Sequence, residues 1–304
     1  MGKWTRRILV TLAVLVVAGG AAYWWLVLES GTPSSAYAID MAEIRRLADS
    51  MPGDKAREIH VENVTGFSFP ATAVVAGDGW DNTPMPVFSY QLVFPQSTAI
   101  IDTALDKHAK GMADRLVFFD DAAYARMSKA LHSASLIIVT HEHGDHIGGL
   151  LAQPDLQKLL SVAKLNKEQV DNLKNSVPDY PSAAFKGYAP ISYEKYLAVA
   201  PGVVLIRAPG HTPGSQLVYV KTQDGNEFLF LGDVAWHMRN IDIVRERARL
   251  ITLLIGEDRD AVLSELAALN ALEKSEPKLQ IVPGHNAEPV KALEDAGLLK
   301  KDFQ

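Results

Sequence analysis

Within six residues, His141-Glu142-His143-Gly144-Asp145-His146, the chain crowds together three imidazoles and an aspartate. Imidazole nitrogens and carboxylate oxygens are the ligands of zinc and its neighbours among the transition metals. The sequence has no cysteine, so thiolates cannot fill that role, and metal ligands are confined to His, Asp, Glu and weaker donors. Just before the cluster, Ser135–Thr140 is a short apolar run of the kind that forms a buried strand. A strand that ends abruptly in such side chains points to a metal site on a loop at a sheet edge.

Three later loops repeat this logic. Pro209-Gly210-His211 follows an expected strand at 203–208, Gly232-Asp233 follows one at 227–231, and Pro283-Gly284-His285 follows one at 280–282. In each a strand ends, glycine opens the turn and a ligand-type residue sits at the tip. A single His or Asp there is ordinarily a hydrogen-bonded turn residue. Four such loops in one chain predict convergence, because strand ends of one layer can meet along a single edge.

The elements that must position these loops are visible in outline. Residues 39–51 read as a short amphipathic helix with Ile44 and Leu47 on one side, and Ala71–Ala76 as a small apolar strand. Val87–Phe94 alternates, with Phe88, Tyr90, Leu92 and Phe94 on one face and Ser89 and Gln91 on the other, which predicts a half-buried strand. A strand over 98–101 ends at Asp102, and a helix over 120–133 precedes the strand at 135–140. Further helices are expected over 154–176, 241–255, 258–274 and 288–296, and 177–200 reads as irregular and aromatic. Gln216–Thr222 and Glu227–Leu231 flank a Gln-Asp-Gly-Asn turn, a hairpin signal. The mixed order of strands and helices predicts two sheets with helices outside, an α+β arrangement.

The N-terminus carries a different message. Residues 8–28 hold no charge and follow Lys3, Arg6 and Arg7. As a helix this run spans about 31 Å at ~1.5 Å per residue, enough to cross a bilayer. Basic residues stay cytoplasmic, which directs the body across the membrane, and Tyr23, Trp24 and Trp25 suit an interfacial belt. Two readings stand: an uncleaved anchor, or a signal peptide cut after Ala22 or after Ala38. Either exports the body, to the outer face of an inner membrane or to the periplasm. The expected organisation is a leader over 1–28, a linker and short helix over 29–60 and one catalytic domain over 61–304, with 29–38 as a polar linker. Beyond residue 28 the chain has 27 basic against 36 acidic residues. An acidic body disfavours nucleic acid, whose phosphates require a basic face.

The set HEHGDH, PGHTPGS, LGDVAW and PGHN resembles the metallo-β-lactamase superfamily and its H-x-H-x-D-H signature, over about residues 60–304. That resemblance implies a four-layer αβ/βα sandwich with two divalent metals, usually Zn2+, in a groove at one sheet edge; Fe or Mn also suits the ligand types. It assigns His141, His143 and His211 to one metal, Asp145, His146 and His285 to the other, and Asp233 as the bridge. It implies a metal-bridging hydroxide as nucleophile, with Asp145 orienting it and moving its proton. A supporting role is implied for Asp102, while Tyr180, Tyr188, Tyr193 and His237 are candidates for the substrate groove. Glu142 is expected to point away from the metals, Thr140, Thr212 and Ser215 to serve the turns, and His60, His108 and His132 to be ordinary residues.

Departures narrow the reaction. An aspartate at 233 argues against a true β-lactamase, where Cys or Ser is usual. Export argues against glyoxalase II and tRNA-processing nucleases, and His143 against flavodiiron reductases, which carry Glu there and add a flavin domain. What remains is hydrolysis of a small-molecule lactone or carboxylic ester. Met85–Val93 and Ala99–Thr103 resemble N-acyl-homoserine lactonase-like members. Phosphodiester, sulfate-ester or β-lactam hydrolysis, and an iron-dependent persulfide dioxygenase, are the alternatives; the complete second-metal set opposes the last. A non-catalytic module would not need the full ligand set.

Overall fold

The computed structural model describes residues 2–108 and 116–304. In chain order its elements are α1 (Lys3–Tyr23), continued by a π-helical turn Trp24–Leu28, α2 (Met41–Ala48), β1 (Glu58–Pro70), α3 (Ala71–Val74), β2 (Asn82–Val93), β3 (Thr98–Ile101), β4 (Phe118–Phe119), α4 (Asp121–Ser133) and β5 (Leu136–Ile138). There follow α5 (Gly144–Leu151), α6 (Leu156–Leu160), α7 (Lys167–Ser176), β6 (Tyr196–Ala200), β7 (Val203–Arg207), β8 (Gln216–Lys221), β9 (Glu227–Phe230), α8 (Met238–Asp242), α9 (Arg249–Ile255), α10 (Arg259–Ser275), β10 (Leu279–Val282), α11 (Ala287–Asp295) and β11 (Lys300–Lys301).

Two mixed sheets form, ordered β11-β1-β2-β3-β5 with β4 on β1, and β10-β9-β8-β7-β6. Alternation along the strands builds the layers. Val203 and Leu205 of β7 face Tyr90, Leu92 and Ile101 of the first sheet, while Val204 and Ile206 face Ile44 of α2 and Leu266 and Leu269 of α10. Across the first sheet, Ile100 and Ile137 pack on Met127 and Leu131 of α4 and Leu150 of α5. The result is helices, sheet, sheet, helices. Because β3 runs parallel to β5, and β9 parallel to β10 with β7 in the same sense, the strand ends leading to Asp102, His141, His211, Asp233 and His285 share one side of the sandwich.

Several elements differ from expectation. Residues 71–76 are not a strand: Ala71–Val74 is a helical turn, tied by Ala71 N–H to the Asp81 carbonyl. Periodicity cannot distinguish the two in so short a run. β2 is buried on both faces, not half-buried: Ser89 donates to the Asp102 carbonyl at 2.6 Å and Gln91 accepts from Gln304 N–H. The helix expected over 154–176 is broken, and α7 restarts at a capping box between Asn166 and Gln169. The 241–255 helix is likewise split, with Val244 left-handed at φ 48°. Residues 177–200 are not wholly irregular, since β6 forms within them. β1 was not anticipated; its start at Glu58 carries residues 58–60 into the main sheet. Residues 29–38 are docked rather than free: Glu29 is held by Arg249 and Arg259, Ser30 by Glu246, and the Tyr37 hydroxyl donates to the Arg207 carbonyl.

Helix α5 carries two of the ligand residues, and its seat is tight. Thr103 N–H donates to the His146 carbonyl at 2.7 Å and the Thr103 hydroxyl accepts from Leu150 N–H at 3.0 Å. Gly149 makes this approach possible, because a Cβ there would lie 1.9 Å from the Thr103 carbonyl oxygen. Gly149→Ala is therefore expected to destabilise the fold by about 3 kcal/mol through overpacking. Calorimetry should register a Tm lower by about 5–10 °C, and an unchanged Tm would show that α5 is not held by this contact.

Candidate metal centre

His143 precedes α5 as its N-cap, so Asp145 and His146 fall in the first helical turn while His141 stays on the strand-end loop. His211 follows β7, Asp233 sits in a 3-10 turn after β9, and His285 follows β10. The seven side chains come together as two groups: His141, His143, His211 and Asp233, and Asp145, His146, Asp233 and His285. Within each group the donor atoms lie within 4.8 Å of one another.

The spacing suits a cation. An ion with ~2.0–2.1 Å bonds in tetrahedral geometry separates its ligand atoms by about 3.3 Å. In the first group His143 Nδ1 is 3.1 Å from His141 Nε2 and 3.0 Å from His211 Nε2, and Asp233 Oδ2 is 3.4 Å from His211 Nε2. In the second, Asp233 Oδ1 is 3.1 Å from both His146 Nε2 and His285 Nε2, and Asp145 Oδ2 is 3.8 and 3.6 Å from them. Asp233 thus turns one oxygen to each group. Its Oδ1 and His146 Nε2 are buried without a hydrogen-bond partner, which a resident cation would supply. Gly284 permits the crowding, since a Cβ there would stand 2.5 Å from Asp233 Oδ1.

A second layer aims the imidazoles. His146 Nδ1 lies 2.8 Å from Asp102 Oδ2, His211 Nδ1 2.8 Å from Glu257 Oε2, and His285 Nδ1 2.8 Å from the Pro86 carbonyl. Each partner is an acceptor, so Nδ1 carries the proton and the Nε2 lone pair faces the centre. Asp102 does more than support: its carboxylate also accepts the Thr140 N–H at 2.7 Å and the Thr140 hydroxyl at 2.8 Å. This gives Thr140 a part in the centre rather than the turn role expected of it. Asp102 adopts φ 57°, a left-handed conformation that Asp tolerates better than most residues. Asp233 is pinned by the Trp236 indole N–H at 2.7 Å on Oδ2, and its carbonyl accepts from Arg247. Arg247 in turn stacks 4.2 Å over Trp236 and pairs with Glu257 at 2.6 Å. Trp236, Arg247 and Glu257 were not anticipated; only the position of Trp236 three residues after Asp233 was a usable signal.

The electrostatics divide the two groups. Burial lowers the pKa of His141 and His211 well below the ordinary range, and that of His143 to about 4, so these rings are neutral donors at neutral pH. Burial also opposes charge on His146 and His285, but nearby carboxylates outweigh it, Asp233 foremost, and raise both. Burial would raise Asp233; His285, His146 and His141 outweigh it and hold the carboxylate well below its usual range. A site this rich in carboxylate favours positive charge, whether proton or metal.

A groove of about 500 Å³ opens over the centre, walled by Phe67, Phe69, Met85, Trp236, Leu254 and Ile255, with Asn175 and Ser176 as polar rim. None of the three tyrosines expected there lines it. Tyr188 bridges Ala163 and Leu165, Tyr193 donates to Gln216, and Tyr180 packs on Phe185. Their hydroxyls or rings are taken up by structural partners that sequence spacing does not reveal. His237 also lies outside the groove lining, half-buried at the start of α8, where its backbone N–H donates to the Asn240 side chain. Glu142 turns away as expected, accepting from Asn172 and Thr212. His132 pairs with Asp155 at the surface, His108 is exposed, and His60 is buried against the Asp302 carbonyl.

The metallo-beta-lactamase superfamily model matches residues 82–285. The N-acyl homoserine lactonase AiiA of Bacillus thuringiensis subsp. kurstaki is 24% identical over 229 residues, 68% of this chain and 84% of that protein. Among solved structures, an N-acyl homoserine lactone hydrolase with the product N-hexanoyl-L-homoserine at its catalytic metal center superposes with a TM-score of 0.60 at 18% identity, covering 78% of this chain and 96% of that one. AidC, a dizinc quorum-quenching lactonase, superposes with a TM-score of 0.55 at 15% identity, over 77% of this chain and 90% of that one. With more than half of its length matched, this chain belongs to the metallo-beta-lactamase superfamily.

Proposed function

We propose that this protein is a two-metal hydrolase, with zinc as the metal, that opens a lactone or carboxylic ester of a small molecule outside the cytoplasm. The observation that carries the reading is the pair of four-donor groups sharing Asp233, one oxygen toward each. His141, His143 and His211 would hold one ion, and Asp145, His146 and His285 the other. Two such ions supply a Lewis acid for the carbonyl oxygen and a water that is acidic enough to attack at neutral pH. The protein's own contributions follow from its geometry. Asp145 faces the groove from the first turn of α5, within reach of an attacking water, and can take its proton and return it to the leaving alkoxide. Asn175 and Ser176 offer polar groups for the substrate head, and the apolar wall from Phe67 to Ile255 accepts an acyl portion and excludes water.

The lactonase named among the relatives, similar along most of its length, supports the choice of bond. The apolar helix Lys3–Leu28, exposed from Lys3 to Trp25 and long enough to cross a bilayer, supports an uncleaved anchor with the body on the far side. On this reading 1–28 forms the anchor and the remainder one catalytic unit.

Metal analysis and a panel of lactones and carboxylic esters test the proposal together. Two zinc ions per chain are expected, with lactone or ester turnover that a chelator abolishes and zinc restores. Removing the ions should also lower Tm, because ligands that bind only the folded state stabilise it. A single iron per chain, or turnover of every lactone and ester unaffected by chelation, would overturn it.

A further inference from the structure

The face of the body nearest the N-terminal helix carries a cluster of exposed apolar side chains. Leu250, Leu253 and Leu254 lie at i, i+3 and i+4 on α9, so they share one side of the helix, and the last two are 62% and 72% exposed. Isolated exposed leucines are ordinary; three on a single turn form a patch that calls for a partner. The opposite side of α9 packs inward through Thr252, and Ile251 and Ile255 rest on the cluster that holds Trp236. Leu254 and Ile255 also wall the groove above the metal centre. Of the three exposed leucines only Leu254 lines the groove, and Leu250 and Leu253 extend the apolar face outward from it.

The same helix is fastened to the end of the apolar N-terminal segment. The Arg249 guanidinium stacks 4.8 Å over the Trp25 ring and pairs with Glu29, which also pairs with Arg259 at 2.8 Å. Gly77 N–H donates to the Val27 carbonyl at 3.0 Å. Trp80, 62% exposed, stacks on Tyr23 with ring centroids 6.4 Å apart and donates its indole N–H to the Tyr23 hydroxyl at 3.1 Å. No slack tether separates helix from body. If the segment crosses a bilayer, the aromatic turn Tyr23–Trp25 lies at the headgroup level, and Trp80 and the α9 leucines lie beside it. A second copy or a soluble partner would have to cover the patch in the space that the lipid itself occupies.

We propose that the α9 leucine face beds into the membrane that the N-terminal helix crosses, so that the groove opens at the lipid surface and takes its substrate sideways from the bilayer. The substrate class is an amphiphile: a lactone or ester head on a long acyl chain, the head reaching the metal centre while the chain lies along Leu254, Ile255, Phe67 and Phe69. Water adds across the acyl C–O bond, leaving a carboxylate and a hydroxyl, and the more polar product leaves the lipid more readily. This inference rests on the hydrolase and anchor readings above.

The chain has no cysteine, so one introduced cysteine can be labelled uniquely. Full-length Leu253→Cys and Gln223→Cys, each carrying an environment-sensitive fluorophore, are reconstituted in vesicles of phosphatidylcholine and phosphatidylglycerol with or without acyl-chain quenchers. Gln223 is exposed in the β8–β9 turn, at the end of the sheet away from the ligand loops. The label at 253 is expected to be blue-shifted and quenched from within the lipid, and the label at 223 to remain in water. A protein that floats with the vesicles but keeps both labels in water would overturn the placement while leaving the anchor intact. A protein that does not float would overturn both. The second arm compares turnover of a soluble short-chain lactone with that of a vesicle-borne long-chain lactone. Leu250→Glu/Leu253→Glu is expected to leave the first unchanged and slow the second about tenfold, through loss of apolar contact with the interface. Equal effects on both substrates would overturn lateral access. A parent protein inactive on the short-chain lactone but lipid-quenched at 253 would overturn the bond assignment and the substrate class, and uphold the membrane placement.

Discussion

Replacing Asp233 with alanine is expected to lower turnover by about three orders of magnitude, equivalent to about 4 kcal/mol of transition-state stabilisation. Bound metal should fall below two ions per chain in the same preparation. The reasoning is geometric. Asp233 Oδ1 stands 3.1 Å from His146 Nε2 and His285 Nε2, while Oδ2 stands 3.4 Å from His211 Nε2. Among the described residues no other side chain belongs to both donor groups. Its loss also frees the Trp236 indole N–H and leaves seven-residue crowding without its shared negative charge, so both groups are weakened together. The check is steady-state kinetics alongside metal content by mass spectrometry. Turnover within tenfold of the parent with two ions retained would mean that Asp233 does not join the groups.

Asp145→Asn separates ligation from proton transfer. Asparagine keeps the shape and one acceptor oxygen but cannot carry the proton. The expected loss in kcat is about 10²–10⁴-fold, the range for a removed general acid–base group. Asp145 is also a donor to the second group, at 3.6 Å from His285 Nε2, so a purely ligand role must be distinguished. With excess zinc restoring two ions per chain, a ligand-only residue would recover its rate. Here the rate is expected to stay low at full metal loading, and to fall less for substrates with a good leaving group, which need no proton. Full recovery on metal loading would remove Asp145 as the proton carrier.

The types of the seven side chains that the fold brings together were legible in the sequence because ligand chemistry is local. His141 to His146 needs no distant partner to declare its type, and glycine beside a strand end marks where a loop can turn tightly. The uncharged run over 8–28 was legible for the same reason: its length and lack of charge are properties of the segment itself. The hairpin at 216–230 carried its own turn.

What stayed hidden depends on contacts across the chain. β1 reads as a mixture of polar and apolar residues, Glu58 to Pro70, with its register shifted between Asn63 and Thr65. Its buried Glu62 is acceptable only because Arg126 and the Phe303 N–H, far along the chain, meet the carboxylate. The tyrosines between 180 and 193 were sound groove candidates by type, yet their hydroxyls and rings are claimed by packing partners. Glu257 and Arg247, the layer behind His211 and Asp233, carry no motif at all. The exposed leucines of α9 look like the apolar face of any helix until the fold shows which side is covered.

The sequence by itself thus determined which ligand-type side chains stand at the strand ends and that an apolar helix leads the chain. Only the tertiary structure decided that Asp233 turns one oxygen to each donor group, and which acceptor fixes each imidazole. It also decided that the groove lip lies against the leading helix. Side-chain type is a property of the residue, whereas orientation is set by long-range packing and by the need to pair every buried polar atom.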